Sequence, residues 1–125
     1  MTLQKKILII EDDGAIRRLA KRMLKALDVD SVEASDGCSG LDQLRSDGDG
    51  FDAVLTDMRL PDIQGHELAD WIREMSPEMP VIFFSGDHLN DHARRQLEEK
   101  NTFFLSKPFS KSTMSDVIHR VFAVC

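Results

Sequence analysis

The feature that most narrows the fold is an alternation. Four short runs are almost wholly apolar: Ile7–Ile10, Ala53–Leu55, Val81–Phe84 and Phe103–Leu105. Continuous runs of this length suit parallel strands covered on both faces. A fifth, weaker run, Ser31–Ser35, alternates Val32 and Ala34 with Glu33 and reads as an edge strand. Between the runs lie helical stripes. Ile16, Leu19, Ala20, Met23, Leu24 and Leu27 recur at three- and four-residue steps. Leu68, Trp71, Ile72 and Met75 form a second stripe, and Met114, Val117, Ile118, Val121 and Phe122 a third. Shorter helices fit Ser39–Ser46 and Leu89–Lys100. Gly37, the Asp47–Gly50 stretch, Pro61, Pro77 and Pro80 punctuate the pattern. Strand then helix, five times over, predicts βαβ units with right-handed crossovers. The expected architecture is α/β, a doubly wound five-stranded parallel sheet in the order 2-1-3-4-5.

Composition supports one domain spanning residues 1–125, with no Pro/Gly/Ser-rich linker and no solenoid repeat. The chain carries 22 acidic and 16 basic residues, a net charge of −6. That balance argues against direct nucleic-acid binding, which needs clustered Lys and Arg. The longest apolar runs fall far short of the ~20 residues of a membrane span. The lysines at the N-terminus precede no signal-peptide core, so a cytoplasmic protein is expected. Cys38 and Cys125 have neither disulfide-framework nor metal-site spacing, which suits a reducing compartment.

In doubly wound sheets the site lies beyond the carboxyl ends of the strands. The first strand ends in Glu11-Asp12-Asp13, the third in Asp57, the fourth in Ser85-Gly86 and the fifth in Lys107-Pro108. Strands 1 and 3 are neighbours in the expected order, so their carboxylates converge. Packed carboxylates repel unless a cation neutralises them. An oxygen-rich cluster left partly open suits Mg²⁺. Asp13 reads instead as a helix N-terminal charge. Asp57, directly after the apolar run, is the hardest of the acids to read as mere surface.

These motifs together resemble the receiver domain of two-component response regulators, a flavodoxin-like (βα)5 fold. The residues carrying the resemblance are Ile7 to Asp13, Leu55 to Gly65, Pro80 to Gly86 and Phe104 to Phe109. Each is weak alone; four in order at this spacing are specific. The resemblance implies a phosphoacceptor switch and no enzyme beyond self-phosphorylation and self-dephosphorylation. Asp57 would accept a phosphoryl group from a partner phosphohistidine. Glu11, Asp12, Asp57 and the backbone carbonyl of Arg59 would hold Mg²⁺ or Mn²⁺. Ser85 and Lys107 would contact the phosphoryl oxygens, and a cis bond before Pro108 would aim the lysine. The expected partners are a sensor histidine kinase or histidine phosphotransfer protein, and an output domain or target protein downstream. A monomer or weak dimer is expected. The partner surface would be the face made by the last two helices and the fifth strand, with Arg94, Arg95 and Glu98 to Lys100 among its residues.

Some positions depart from the family's usual pattern. Gly86 stands where Ala is usual and leaves more room beside the pocket; the pairing Phe-Ser-Gly leans towards receivers of hybrid sensor kinases. The switch aromatic maps to Phe104, which has no hydroxyl to donate. Lys100-Asn101-Thr102 lacks the usual Gly-Ala, so a different turn is expected there. Arg59 and Asp87 are expected to pair across the pocket mouth and slow dephosphorylation. His88 and His92 share a helical face but lack a third ligand for zinc, and His66 adds none; His119 is expected on the surface of the last helix.

Competing classes fit less well. A haloacid-dehalogenase-like phosphatase would want an acid two residues beyond the nucleophile, where Arg59 stands. A flavin module needs a phosphate-binding loop after strand 1, where Glu11-Asp12-Asp13 would repel it. A receiver-like interaction module without phosphorylation has no need of the full residue set.

Overall fold

The computed structural model describes residues 5–47, 50–85 and 101–123. In order it runs β1 (Lys6–Ile10), α1 (Gly14–Ala26), β2 (Asp30–Ala34), α2 (Gly37–Asp47), β3 (Ala53–Asp57), α3 (Gly65–Met75), β4 (Val81–Ser85), β5 (Thr102–Ser106) and a C-terminal helix (Lys111–Val121). The five strands form one sheet in the order β2-β1-β3-β4-β5, and every pairing is parallel. The helix expected over Leu89–Lys100, together with Gly86, Asp87, His88, His92, Arg94 and Arg95, lies outside the described residues, as does Cys125.

Strand periodicity sorts the core into two layers. Leu8, Ile10, Val54, Val81 and Phe83 face α2 and α3, where they meet Leu41, Leu44, Leu68 and Ile72. Ile7, Ile9, Leu55, Ile82 and Phe84 face α1 and the C-terminal helix, where they meet Ala20, Leu24, Met114 and Val117. The central strands are buried on both faces, which is why they read as unbroken apolar runs. β2, at the edge, keeps Val32 and Glu33 half-exposed.

The helical stripes are only partly used. In α1, Ala20 and Leu24 are buried while Leu19 is 43% exposed. In α3 the buried set is Gly65, Leu68, Ala69 and Ile72. Trp71 and Met75, counted in the stripe from sequence, are 50% and 39% exposed. They sit on its margin, since the sheet covers only one side of the helix.

α2 starts two residues before the expected Ser39. Two acids supply its first amides with acceptors. Asp36 accepts from the Ser39 amide at 2.7 Å. Asp62, from the loop after β3, accepts from the Gly37 and Cys38 amides at 2.9 and 2.8 Å. A Cβ on Gly37 would stand 2.1 Å from Ile63, so only glycine admits this close approach. Before β5, Asn101 takes φ 63°, the left-handed conformation a glycine would otherwise supply, and its side chain donates to the Glu78 carbonyl at 3.1 Å.

Candidate functional site

β1 and β3 pair in register from Ile7↔Ala53 to Ile10↔Thr56. The residues just beyond, Glu11 and Asp57, therefore emerge side by side at the carboxyl edge of the sheet. Glu11 is wholly buried. Its amide donates to Ala34 at 3.0 Å, and its carbonyl accepts from the Arg17 guanidinium at 2.7 Å. Arg17 is held in turn by Glu33 at 3.0 Å. The Asp57 carboxylate keeps 13% exposure, enough for an incoming group to reach it. Its Oδ1 accepts from the Arg59 amide at 3.2 Å.

Oxygens of Glu11, Asp12 and Asp57 lie within 4.8 Å of one another. Asp13 stands apart from them: it caps α1, accepting from Ala15 at 2.9 Å and Ile16 at 3.3 Å. It therefore stabilises the turn that presents Asp12.

Lys107, leaving β5, places its ammonium 2.9 Å from Glu11 Oε1 and 3.2 Å from Asp57 Oδ2. Its Nζ lies 4.8 Å from the centre of the Phe84 ring, a cation–π contact that steadies it. The Lys107–Pro108 peptide bond is cis. Burial works against the ammonium, but the hydrogen bond to Glu11 and the charge of Asp57 outweigh it and hold the lysine above its ordinary pKa. Burial is also the main reason that the Glu11 carboxyl rises from 4.5 to about 8; the facing Asp57 carboxyl adds to the rise, and Lys107 offsets part of it.

One atom in this cluster is unsatisfied. Glu11 Oε2 is buried with no hydrogen-bond donor. A buried acceptor without a donor, beside two further carboxylates, is a donor set that fits a hard divalent cation with oxygen ligands.

The loop from Asp57 to α3 is braced at several points. Thr56, buried within the strand, donates through its hydroxyl to the Asp57 carbonyl at 3.1 Å. Arg59 and Gln64 form an antiparallel bridge. The Gly65 amide donates to Met58 at 2.8 Å, and a Cβ there would meet Met58 at 2.9 Å. Asp62 ties the same loop to α2. The amides of Cys38 and Gly37 outweigh the effect of burial and hold its carboxyl below the ordinary range. That same carboxylate pushes the neighbouring Cys38 thiol up.

The structure thus gathers Glu11, Asp12, Asp57 and Lys107 and puts the Arg59 backbone at their edge. Ser85 ends β4, one residue past Phe84, the register partner of Asp57. Phe104 is half-buried and stacks on Phe83 with ring centroids 5.9 Å apart. Together with Pro108 it lines a groove against the C-terminal helix. His119 is exposed on that helix. Sequence reading missed Thr56, Arg17, Asp62 and Phe84 as supports of the site. The one signal available was Thr56, a hydroxyl in an otherwise apolar run.

The profile of the response regulator receiver domain matches residues 7–119. The chain belongs to this family. It is 31% identical over 120 residues to chemotaxis protein CheY-3 of Vibrio cholerae, covering 94% of this chain and 91% of that protein. It is 26% identical to transcription factor SKN7 of Chaetomium thermophilum, where the match covers 92% of this chain and 15% of the relative. Against ORR21 of rice, a two-component response regulator, it again spans only 17% of the relative's length. Among solved structures, a receiver domain protein from Clostridium thermocellum aligns with a TM-score of 0.81 at 28% identity, covering 93% of this chain and 95% of that one. The receiver domain of the hybrid histidine kinase CckA aligns at 0.78, also at 28% identity, over 93% of this chain and 97% of that one. As a receiver domain, the chain is a phosphoacceptor signalling switch.

Proposed function

We propose that Asp57 is the phosphoacceptor of this receiver, and that it takes its phosphoryl group from a phosphohistidine on a sensor kinase or phosphotransfer protein. The observation that carries the reading is the convergence of three carboxylates within 4.8 Å, two of them hydrogen-bonded to one lysine. An Asp57 carboxylate oxygen attacks phosphorus and forms the new O–P bond. The N–P bond of the donor breaks, and the released imidazole takes up a proton.

Phosphoryl transfer depends chiefly on positioning and charge stabilisation. The Arg59 amide and the Lys107 ammonium fix the orientation of the Asp57 carboxylate. Glu11, Asp12, Asp57 and the Arg59 carbonyl would hold Mg²⁺ or Mn²⁺, which supplies positive charge against the incoming phosphoryl oxygens. Lys107, already beside Asp57, pairs with one of those oxygens, and Ser85 is the hydroxyl assigned to another. Slow self-phosphorylation from a small donor and slow hydrolysis belong to the same site.

The new dianion beside Glu11 draws Lys107 away from its present partners, and β5 moves with it. Phe104 and Pro108, on the groove beside the C-terminal helix, carry the change to an output surface. The partner at that surface is an output domain or target protein. Among the described residues no helix is long and apolar enough to cross a membrane. The exposed free thiol of Cys38 suits the reducing cytoplasm in which we place the protein.

Incubation with a small phosphodonor and Mg²⁺, followed by intact mass, tests the assignment. Wild type should gain one phosphoryl group and Asp57→Asn none. Equal labelling of both would refute it.

A further inference from the structure

Two helices on opposite sides of the sheet carry opposite charge. α1 holds Arg17, Arg18, Lys21, Arg22 and Lys25 and no acid. Arg17 is turned to Glu33 and the Glu11 carbonyl, and Lys21 to the Ser31 carbonyl. The outward set is Arg18, Arg22 and Lys25, all exposed. Beside them stands Leu19, 43% exposed.

α3 is the counterpart. Glu67, Asp70 and Glu74 are exposed along it. Its arginine, Arg73, donates to Asn101 and Thr102 at the start of β5. His66 lies 4.0 Å from Glu67 and is the other basic group on the helix. Trp71 stands one turn after Glu67 and one turn before Glu74, with Met75 beside it, and both apolar side chains are exposed.

The two patterns match in spacing. Arg18 and Lys25, like Glu67 and Glu74, are seven positions apart, about 10 Å along a helix. Each set flanks an uncovered apolar side chain. α1 belongs to one core layer and α3 to the other, so one molecule cannot join its own two helices.

We propose that the α3 face of one molecule docks α1 of a second copy, with Trp71 and Met75 against Leu19 and the acids against Arg18, Arg22 and Lys25. The contact is heterologous, so copies line up head to tail rather than closing into a symmetric pair. A single helix–helix contact falls below the ~1,200 Å² of a standard interface. The association is therefore weak and concentration-dependent. Its ion pairs lie at the rim of an exposed contact, so salt opposes it.

Trp71 is the only tryptophan in the chain and reports on the contact directly. Sedimentation velocity and Trp71 emission are recorded for the full chain at rising concentration, up to about 1 mM, enough to populate a contact with a Kd of about 1 mM. Wild type at about 20 mM salt should sediment faster with concentration, its emission shifting to the blue, and both effects should fade at about 0.5 M salt. The pair Glu67→Lys/Glu74→Lys should remain monomeric, because both of its faces are then basic. The pair Arg18→Glu/Arg22→Glu should also remain monomeric, because both faces are then acidic. Mixing the two pairs should restore association. Both variants stay net negative from a starting charge of −6, so bulk attraction cannot account for the rescue. The neutral pair Glu67→Gln/Glu74→Gln should weaken the contact without reversing it, and circular dichroism should show each variant folded. A wild type that stays monomeric at low salt, association untouched by charge reversal on α3, or a mixture that fails to associate would each overturn the proposal.

Discussion

The two ends of the sheet treat their acids differently. At the amino end, Asp52 accepts from the Lys6 amide at 2.8 Å. It ties the approach to β3 to the start of β1, beside the Lys6 ammonium, which lies 4.7 Å from the Phe51 ring centre. The acid there is structural: it meets a backbone donor and is finished. At the carboxyl end, Glu11 is buried more completely, yet Oε2 meets no donor, and two further carboxylates crowd it. Burying a charge is costly unless it is paired. The difference separates an acid that completes the fold from a group of acids whose donor set fits a divalent cation.

The largest expected break of this comparison is in cation binding. Glu11→Gln with Asp12→Asn should weaken Mg²⁺ affinity by at least about 100-fold, since even outer-shell partners of a metal cost about 10–100-fold. Asp52→Asn should leave it unchanged. Calorimetric titration measures both, and equal loss in the two variants would erase the distinction.

Proton linkage comes next. The folded-state value of Glu11, about 8, stands above its ordinary 4.5. Its neutral form therefore favours the cation-free fold. That contribution is complete below about 4.5 and is lost as pH rises through about 8. Cation-free thermal stability should fall across this window, and Glu11→Gln should remove that dependence. Mg²⁺ affinity should run the opposite way, rising as pH approaches 8, because the cation displaces the proton. Asp52→Asn should alter neither slope.

A smaller effect is expected at Lys107. Its ammonium contacts Glu11 Oε1 and Asp57 Oδ2, the oxygens a cation would also need. Lys107→Met should therefore tighten Mg²⁺ binding severalfold while removing a contact for the phosphoryl group. Weaker binding in that variant would mean that the lysine organises the carboxylates rather than competing for them. The smallest change belongs to the amino end. Asp52→Ala should cost about 1 kcal/mol of stability, the worth of one hydrogen bond, with phosphorylation intact.

How much of this was legible in the sequence depends on the range of the interactions. Fully buried strands show themselves as unbroken apolar runs, and βαβ connectivity limits their order, so the sheet and its carboxyl edge could be read. Glu11, Asp12, Asp57 and Lys107 followed, because each stands within two residues of the end of such a run. The brackets around them could not be read. Arg17 reaching the Glu11 carbonyl, Asp62 capping α2 across the loop and Lys107 resting on Phe84 are contacts between elements, and no local pattern announces them. The stripe in α3 overstated burial for a related reason. Periodicity locates an apolar side of a helix but not how far the sheet extends beneath it, and Trp71 and Met75 fall past that edge.

Asp57, the open carboxylate at the end of β3, is the group that we propose takes the phosphoryl. Reductive trapping of the acyl phosphate formed with a small phosphodonor and Mg²⁺, followed by peptide sequencing, tests it most directly. The account predicts one reduced residue, at Asp57, and none at Asp12 or Asp13. Trapping at either of those acids, or a stable phosphoryl group on His66 or His119, would contradict it.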